Sequence, residues 1–221
     1  NLASWRGEAG DPAGAVDSFA ELLVDQLRVL GPDHPDTLTT RANLASWRGE
    51  AGDPAGAVDS FAELLVDQLR VLGPDHPDTL IARTNLAVSL REAGRAQDAI
   101  ALGEHVVADY QRVLGSEHPQ ALTARTNLAA SYLESGRVEE AIAHGEHVAA
   151  DHDRLFGPNH PDTLRARVSL SALYRRAGRI TEAEAVAEGL EPDRDQSLSL
   201  GPDIGRVAGN TGGRWITRRK T

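Results

Sequence analysis

Between Gln97 and Leu114 the apolar side chains recur three and four places apart, as Ala99, Ile100, Val106, Val107, Tyr110, Val113 and Leu114, with Gly103 inside the stripe. That spacing gathers them on one face of a helix. An earlier stripe, Leu80, Leu86, Ala87 and Leu90, predicts a helix from about Asp78 to Ala93. Gly94 separates the two and Gly115 follows the second, each placed where a left-handed residue stops a helix. Pro119 then opens the next helix, in a first turn where its missing N–H costs little. Asp36, Asp78 and Asp162 sit in comparable first turns and complement the helix dipole. The pattern therefore predicts hairpins of two antiparallel helices.

The hairpins repeat. Residues 1–38 and 43–80 are identical, from Asn-Leu-Ala-Ser-Trp to His-Pro-Asp-Thr-Leu, at an offset of 42. The frame continues with divergence: Asn1, Asn43, Asn85 and Asn127 each begin Asn-Leu-Ala, and Ser169 takes the fifth slot. The linker recurs as Gly31-Pro32-Asp33-His34-Pro35, Gly73-Pro74-Asp75-His76-Pro77, Gly115-Ser116-Glu117-His118-Pro119 and Gly157-Pro158-Asn159-His160-Pro161. This divides the chain into units at about 1–42, 43–84, 85–126 and 127–168, with a degenerate unit at 169–189. One hairpin buries too little apolar surface to fold alone, so neighbours must stack. After Ala187 the pattern fails at Gly189 and Pro192, and residues 190–221 are expected to form a disordered tail with a basic end.

Composition narrows the function. The net charge is −10, yet the residues from Leu190 onward hold six basic and four acidic side chains, so the repeats carry the acid. An acidic body opposes nonspecific nucleic-acid binding. Cysteine is absent, which removes disulfides, thiolate metal sites and cysteine nucleophiles and accords with a cytoplasmic setting. No apolar stretch approaches the ~20 residues that span a bilayer, so no membrane association is expected. No signal peptide opens the sequence as it stands, and its start at Asn1 inside a repeat reads as that of a fragment.

The Asn-Leu-Ala of the first helix, the Gly94 or Gly136 between helices, the Ala99-Ile100 and Ala141-Ile142 of the second helix, and the Leu-Gly-Pro-Asp-His-Pro-Asp-Thr linker together resemble the tetratricopeptide repeat. The likeness is to its 42-residue form, found in kinesin light chains and many bacterial repeat proteins, and it spans about residues 1–189. It implies an all-α fold, a right-handed α-solenoid (superhelix) of stacked hairpins whose concave groove is lined by helix A, the first of each pair. This chain departs from the family at Gly103 and Gly145, where helix B often carries Tyr or Phe, while Phe19 and Phe61 keep the ring. Helices around those glycines should pack closer, or less firmly.

By the same resemblance, the groove takes Asn43 from the second unit, Thr84, Asn85 and Arg91 from the third, Thr126 and Asn127 from the fourth, and Arg165, Arg175 and Arg176 from the fifth. An asparagine amide both donates and accepts, matching a peptide unit. A ladder of them can hold an extended backbone, or can instead fix neighbouring helices. The fifth-unit guanidinium groups suit a carboxylate, so the expected partner is a protein or peptide with an acidic end; a plain solvated helix face is the alternative. Trp5 and Trp47 are expected to pack between adjacent helices, with ligand stacking as the other reading.

Nothing points to catalysis, and no cofactor is implied. The linker histidines His34, His76, His118 and His160 read as turn residues. His144, His147 and Asp151 share a helix face with zinc-like spacing, but a surface pair is the expected reading and no metal is assigned. Gly209-Asn210-Thr211-Gly212-Gly213 lacks the Lys and Ser/Thr of a phosphate loop. The expected function is a protein-binding scaffold. The rival readings are a sensor arm of a larger signalling NTPase, and a structural or self-associating spacer.

Overall fold

Proline and glycine set the helix boundaries. The computed structural model describes residues 2–188, which form ten helices and no strand among the described residues. They are α1 (Leu2–Glu8), α2 (Pro12–Val29), α3 (Pro35–Glu50), α4 (Pro54–Val71), α5 (Pro77–Glu92), α6 (Ala96–Leu114), α7 (Pro119–Glu134), α8 (Val138–Phe156), α9 (Pro161–Arg176) and α10 (Ile180–Glu188). The odd-numbered helices are helix A of each hairpin and the even-numbered ones helix B. The expected helix ends at Gly94 and Gly115 are present, both glycines having left-handed backbones at φ 74° and 91°. The expected tail, 190–221, lies outside the described residues.

The linker histidines do more than turn the chain. Each caps the helix that follows: the His76 Nδ1 accepts the Asp78 backbone N–H at 3.2 Å, and His34, His118 and His160 repeat the bond. An imidazole here replaces the usual hydroxyl or carboxylate cap. On the B helices that duty falls to Asp11 and Asp53, which accept from the N–H of Gly14 and Gly56 at 2.8 Å. A Cβ on either glycine would overlap its capping carboxylate, so the Asp-Pro-Ala-Gly sequence is a single local device.

The described residues divide into two compact units, 2–102 and 103–188, with the boundary inside α6. The repeat frame did not predict this division. It falls at Gly103, at the position where the first two repeats carry Phe19 and Phe61.

In the first unit Leu38, Ala45, Phe61, Leu64 and Ala82 form one core cluster, with Leu72 and Leu86 against it. Ala3, Phe19 and Leu44 form another, partly covered by Trp47, and Val58, Leu90 and Ala99 a third. Each cluster draws on more than one hairpin, so none exists until neighbours stack. In the second unit Tyr110, Leu122, Leu128, Ile142 and Leu170 are buried. Fully burying each such side chain contributes about 1.5–3 kcal/mol.

The tryptophan expectation holds for one residue of the pair. Trp47 lies over Gly7, where any Cβ would overlap its ring. Trp5, in the identical local sequence, is 72% exposed. The difference is one of neighbours: Trp47 rests on the hairpin before its own, and no hairpin stands before α1 among the described residues.

Candidate functional site

Helix A supplies the expected ligand positions, and in each unit they separate by burial. In the first unit Thr84, Asn85 and Arg91 of α5 are only 2%, 1% and 4% exposed. The Thr84 hydroxyl donates to the Leu80 carbonyl at 2.9 Å, within its own helix. Arg91 reaches Glu92 at 3.5 Å. These three side chains offer no surface to a ligand here. Asn43 is half-buried.

In the second unit Thr126 is half-buried and donates to the Leu122 carbonyl at 3.0 Å. Asn127 is 6% exposed, and its Nδ2 has no hydrogen-bond partner. A buried amide nitrogen without an acceptor costs roughly 1–3 kcal/mol. Arg165, Arg175 and Arg176 are all exposed. Arg165 pairs with Asp162 one turn earlier. Arg175 and Arg176, in the last turn of α9, have no ion-pair partner among the described residues. A helix C-terminus favours cations, which helps hold the pair there.

Around these positions runs a scaffold of ion pairs that sequence reading did not single out. In the first unit Arg70 bridges Asp33 at 2.5 Å and Asp67 at 3.0 Å, and Arg41 meets Asp67 at 2.7 Å. Hydrogen bonds from Arg70 hold the Asp33 carboxyl below its ordinary range. Those from Arg41 and Arg70 do the same for Asp67. The second unit repeats the arrangement 84 residues on, with Arg154 bridging Glu117 and Asp151, and Arg125 meeting Asp151 at 2.8 Å. The signal was available in the sequence: the Arg and Asp positions return in register, two repeats apart.

A second fastener occurs, among the described residues, in the second unit. The Tyr132 hydroxyl donates to Glu104 at 2.5 Å, while the Arg137 guanidinium lies 4.6 Å from the ring centre and pairs with Glu140. Tyr174, Glu146, Arg179 and Glu182 repeat the set. Burial, then the bond to the glutamate, pushes each phenol up to about 12.

His144 stacks on Tyr132 with ring centres 5.3 Å apart. Burial, followed by the Arg125 charge, lowers its pKa. His147 turns to its own backbone, its Nδ1 lying 2.7 Å from the Ala143 carbonyl, and Asp151 is committed to arginines. Among the described residues no group of three or more His, Asp or Glu is placed to hold a metal ion. No described helix is long and apolar enough to cross a membrane.

Several solved structures share this architecture. The nearly identical repeats of a Podosopora anserina protein assigned as a kinesin light chain superpose with a TM-score of 0.76 at 29% identity, covering 86% of this chain and 90% of that one. BtubC (BKLC) from P. vanneervenii gives 0.73 at 19% identity, over 100% and 82% of the two chains. A Rap protein complexed with Competence and Sporulation Factor gives 0.69 at 11% identity, over 95% of this chain and 54% of that one. A comparison with the curated proteins finds no match. Tetratricopeptide-repeat profiles match residues 62–112, 85–151 and 120–188 in one form and residues 1–36 and 37–78 in another. The identical first hairpins, the Gly-Pro-Asp-His-Pro linkers and the stacked helix pairs thus have one explanation: the chain belongs to the tetratricopeptide repeat family, whose members generally serve as protein-interaction scaffolds.

Proposed function

We propose that this chain is a protein-interaction scaffold, and that helix A of its last hairpins receives a peptide or protein segment ending in carboxylate. The carrying observation is the donor excess in the second unit. Arg175 and Arg176 present exposed guanidinium forks with no ion-pair partner among the described residues. Donors in such surplus suit a ligand that supplies acceptors, namely backbone carbonyls and a carboxylate. Arg165 and the half-buried Thr126, Ser169 and Ala172 give that segment room beside them. The fold neighbour complexed with Competence and Sporulation Factor supports the view that such hairpins can carry a ligand.

Peptide display against the full chain provides the test. Selected sequences should be rich in Asp and Glu or end in a free carboxyl group. The double variant Arg175→Glu/Arg176→Glu should lower their affinity by about tenfold or more at low salt, an effect of the size that charge reversal at a contact produces. Both side chains are exposed, so folding should be unchanged. Equal affinity in wild type and variant would defeat the reading.

A further inference from the structure

The outward faces of α2 and α4 carry apolar side chains that the fold does not use. On α4, Asp59, Ala62, Glu63, Val66 and Leu69 lie three or four residues apart and share one exposed face. Val66 is 67% exposed and Leu69 37%. On α2, Asp17, Ala20, Glu21, Val24 and Leu27 repeat the face residue for residue. The later hairpins show that these side chains are not needed for the repeat. In α6, Ala108 and Gln111 replace the Val and Leu; in α8, Ala150 and Asp153 do. The two acids change too, Asp59 to Ala101 and Ala143, and Glu63 to His105 and His147. An apolar strip edged with acid is therefore confined to α2 and α4. Asp17, Glu21, Asp59 and Glu63 make no ion pair among the described residues, so their charge is uncompensated.

The occupant such a strip suits is apolar at its centre and strongly cationic around it. This chain contains one such segment, Arg214-Trp215-Ile216-Thr217-Arg218-Arg219-Lys220, inside an otherwise acidic molecule. We propose that this segment docks, within the same chain, on the outward face of α4 or its duplicate on α2. Trp215 and Ile216 cover the Val and Leu, and the cations around them face the two free carboxylates of that helix. Residues 189–213 form the tether, 25 residues that can reach up to about 80 Å when extended. Tethering gives an effective concentration in the millimolar range, so a modest surface suffices. The contact leaves the helix A faces open and is independent of the ligand proposed above. Because the strip occurs twice, the segment has two equivalent seats and covers one of them at a time.

Lys220 is the single lysine of the chain, which makes the test specific. Zero-length carbodiimide coupling of the full chain, read by mass spectrometry on the monomer band, should join Lys220 chiefly to carboxylates of α2 or α4. The variant carrying V24A, L27Q, V66A and L69Q installs the side chains of the third hairpin. It should fold as wild type by circular dichroism yet give about tenfold less of that product, the loss expected when two methylene-sized groups no longer reach their cover. W215A should reduce it similarly. Coupling of Lys220 to carboxylates elsewhere, coupling in dimers alone, no coupling, or a yield unchanged by either variant would each overturn the proposal.

Discussion

Phe61 fills the core of the first unit with a fully buried ring. At the corresponding place in the second unit stands Gly145, and the space is taken from the other side by Leu170 and Leu173. A Cβ on Gly145 would come within 2.9 Å of Leu173 Cδ1 and 3.3 Å of Leu170 Cδ1. Gly103 likewise lies against Leu128. At both glycines leucine side chains occupy the space that a larger residue would take. The aromatic rings missing from helix B return on helix A as Tyr132 and Tyr174, each tied to a glutamate. In the first unit that helix A position carries Arg6, Arg48 and Leu90 instead, Arg48 being bonded to Ser60 of its own hairpin at 2.7 Å. The first unit joins its hairpins by apolar filling and the second by polar fastening around a closer contact. One backbone tolerates both solutions because capping and turn chemistry, not core identity, define the hairpin.

This contrast predicts a ranking of mutational effects. Phe61→Ala should destabilise the first unit by about 3–5 kcal/mol, since a buried ring is removed from a core that cannot collapse. Hydrogen exchange should show the loss in α3 to α5; an effect below that of the glycine variant would break the contrast. Gly145→Val should cost about 1–3 kcal/mol by overpacking against the two leucines, seen as a lower melting midpoint. A gain in stability would mean that the contact is slack.

Tyr132→Phe keeps the ring but loses its bond to Glu104, for about 1 kcal/mol. In the wild type the phenol should titrate near 12 in phenolate absorbance. Its raised pKa adds stability that is complete below the ordinary tyrosine value and vanishes as pH rises through the folded one. The variant should lack this alkaline dependence of one site.

Arg70→Ala should have the smallest effect, and a weaker one in high salt, because Arg70 and Asp33 are exposed. Asp33 and Asp67 have lowered pKa values. Their contribution is present above the ordinary aspartate value of 3.8 and is lost as pH falls through the folded value. Acid titration of stability should therefore be shallower in the variant. An unchanged acid limb would show that the bridge contributes nothing.

The helices were legible because their punctuation is local. Gly94, Gly115 and Pro119 mark ends whatever lies nearby, and an offset of 42 needs no structure to be seen. What the sequence left open depends on neighbours. Trp5 and Trp47 have the same flanking residues and opposite exposure. Asn85 shares its motif with Asn43 yet is fully buried where Asn43 is half-buried, a difference the motif itself does not carry. The histidine caps were hidden for another reason: the residue type is uncommon in that role, and only the Nδ1 geometry reveals it.

The seat of Trp47 on Gly7 also bears on how such a chain changes length. Each of the first two hairpins presents a bulky ring backwards and a bare backbone forwards, so a further copy placed between them would meet matching surfaces on both sides. Growth or contraction by one whole module leaves the joints intact, whereas an insertion of any other size would set the ring against a side chain. A gene segment duplicated in frame could thus be tolerated at once, before any other position had adapted.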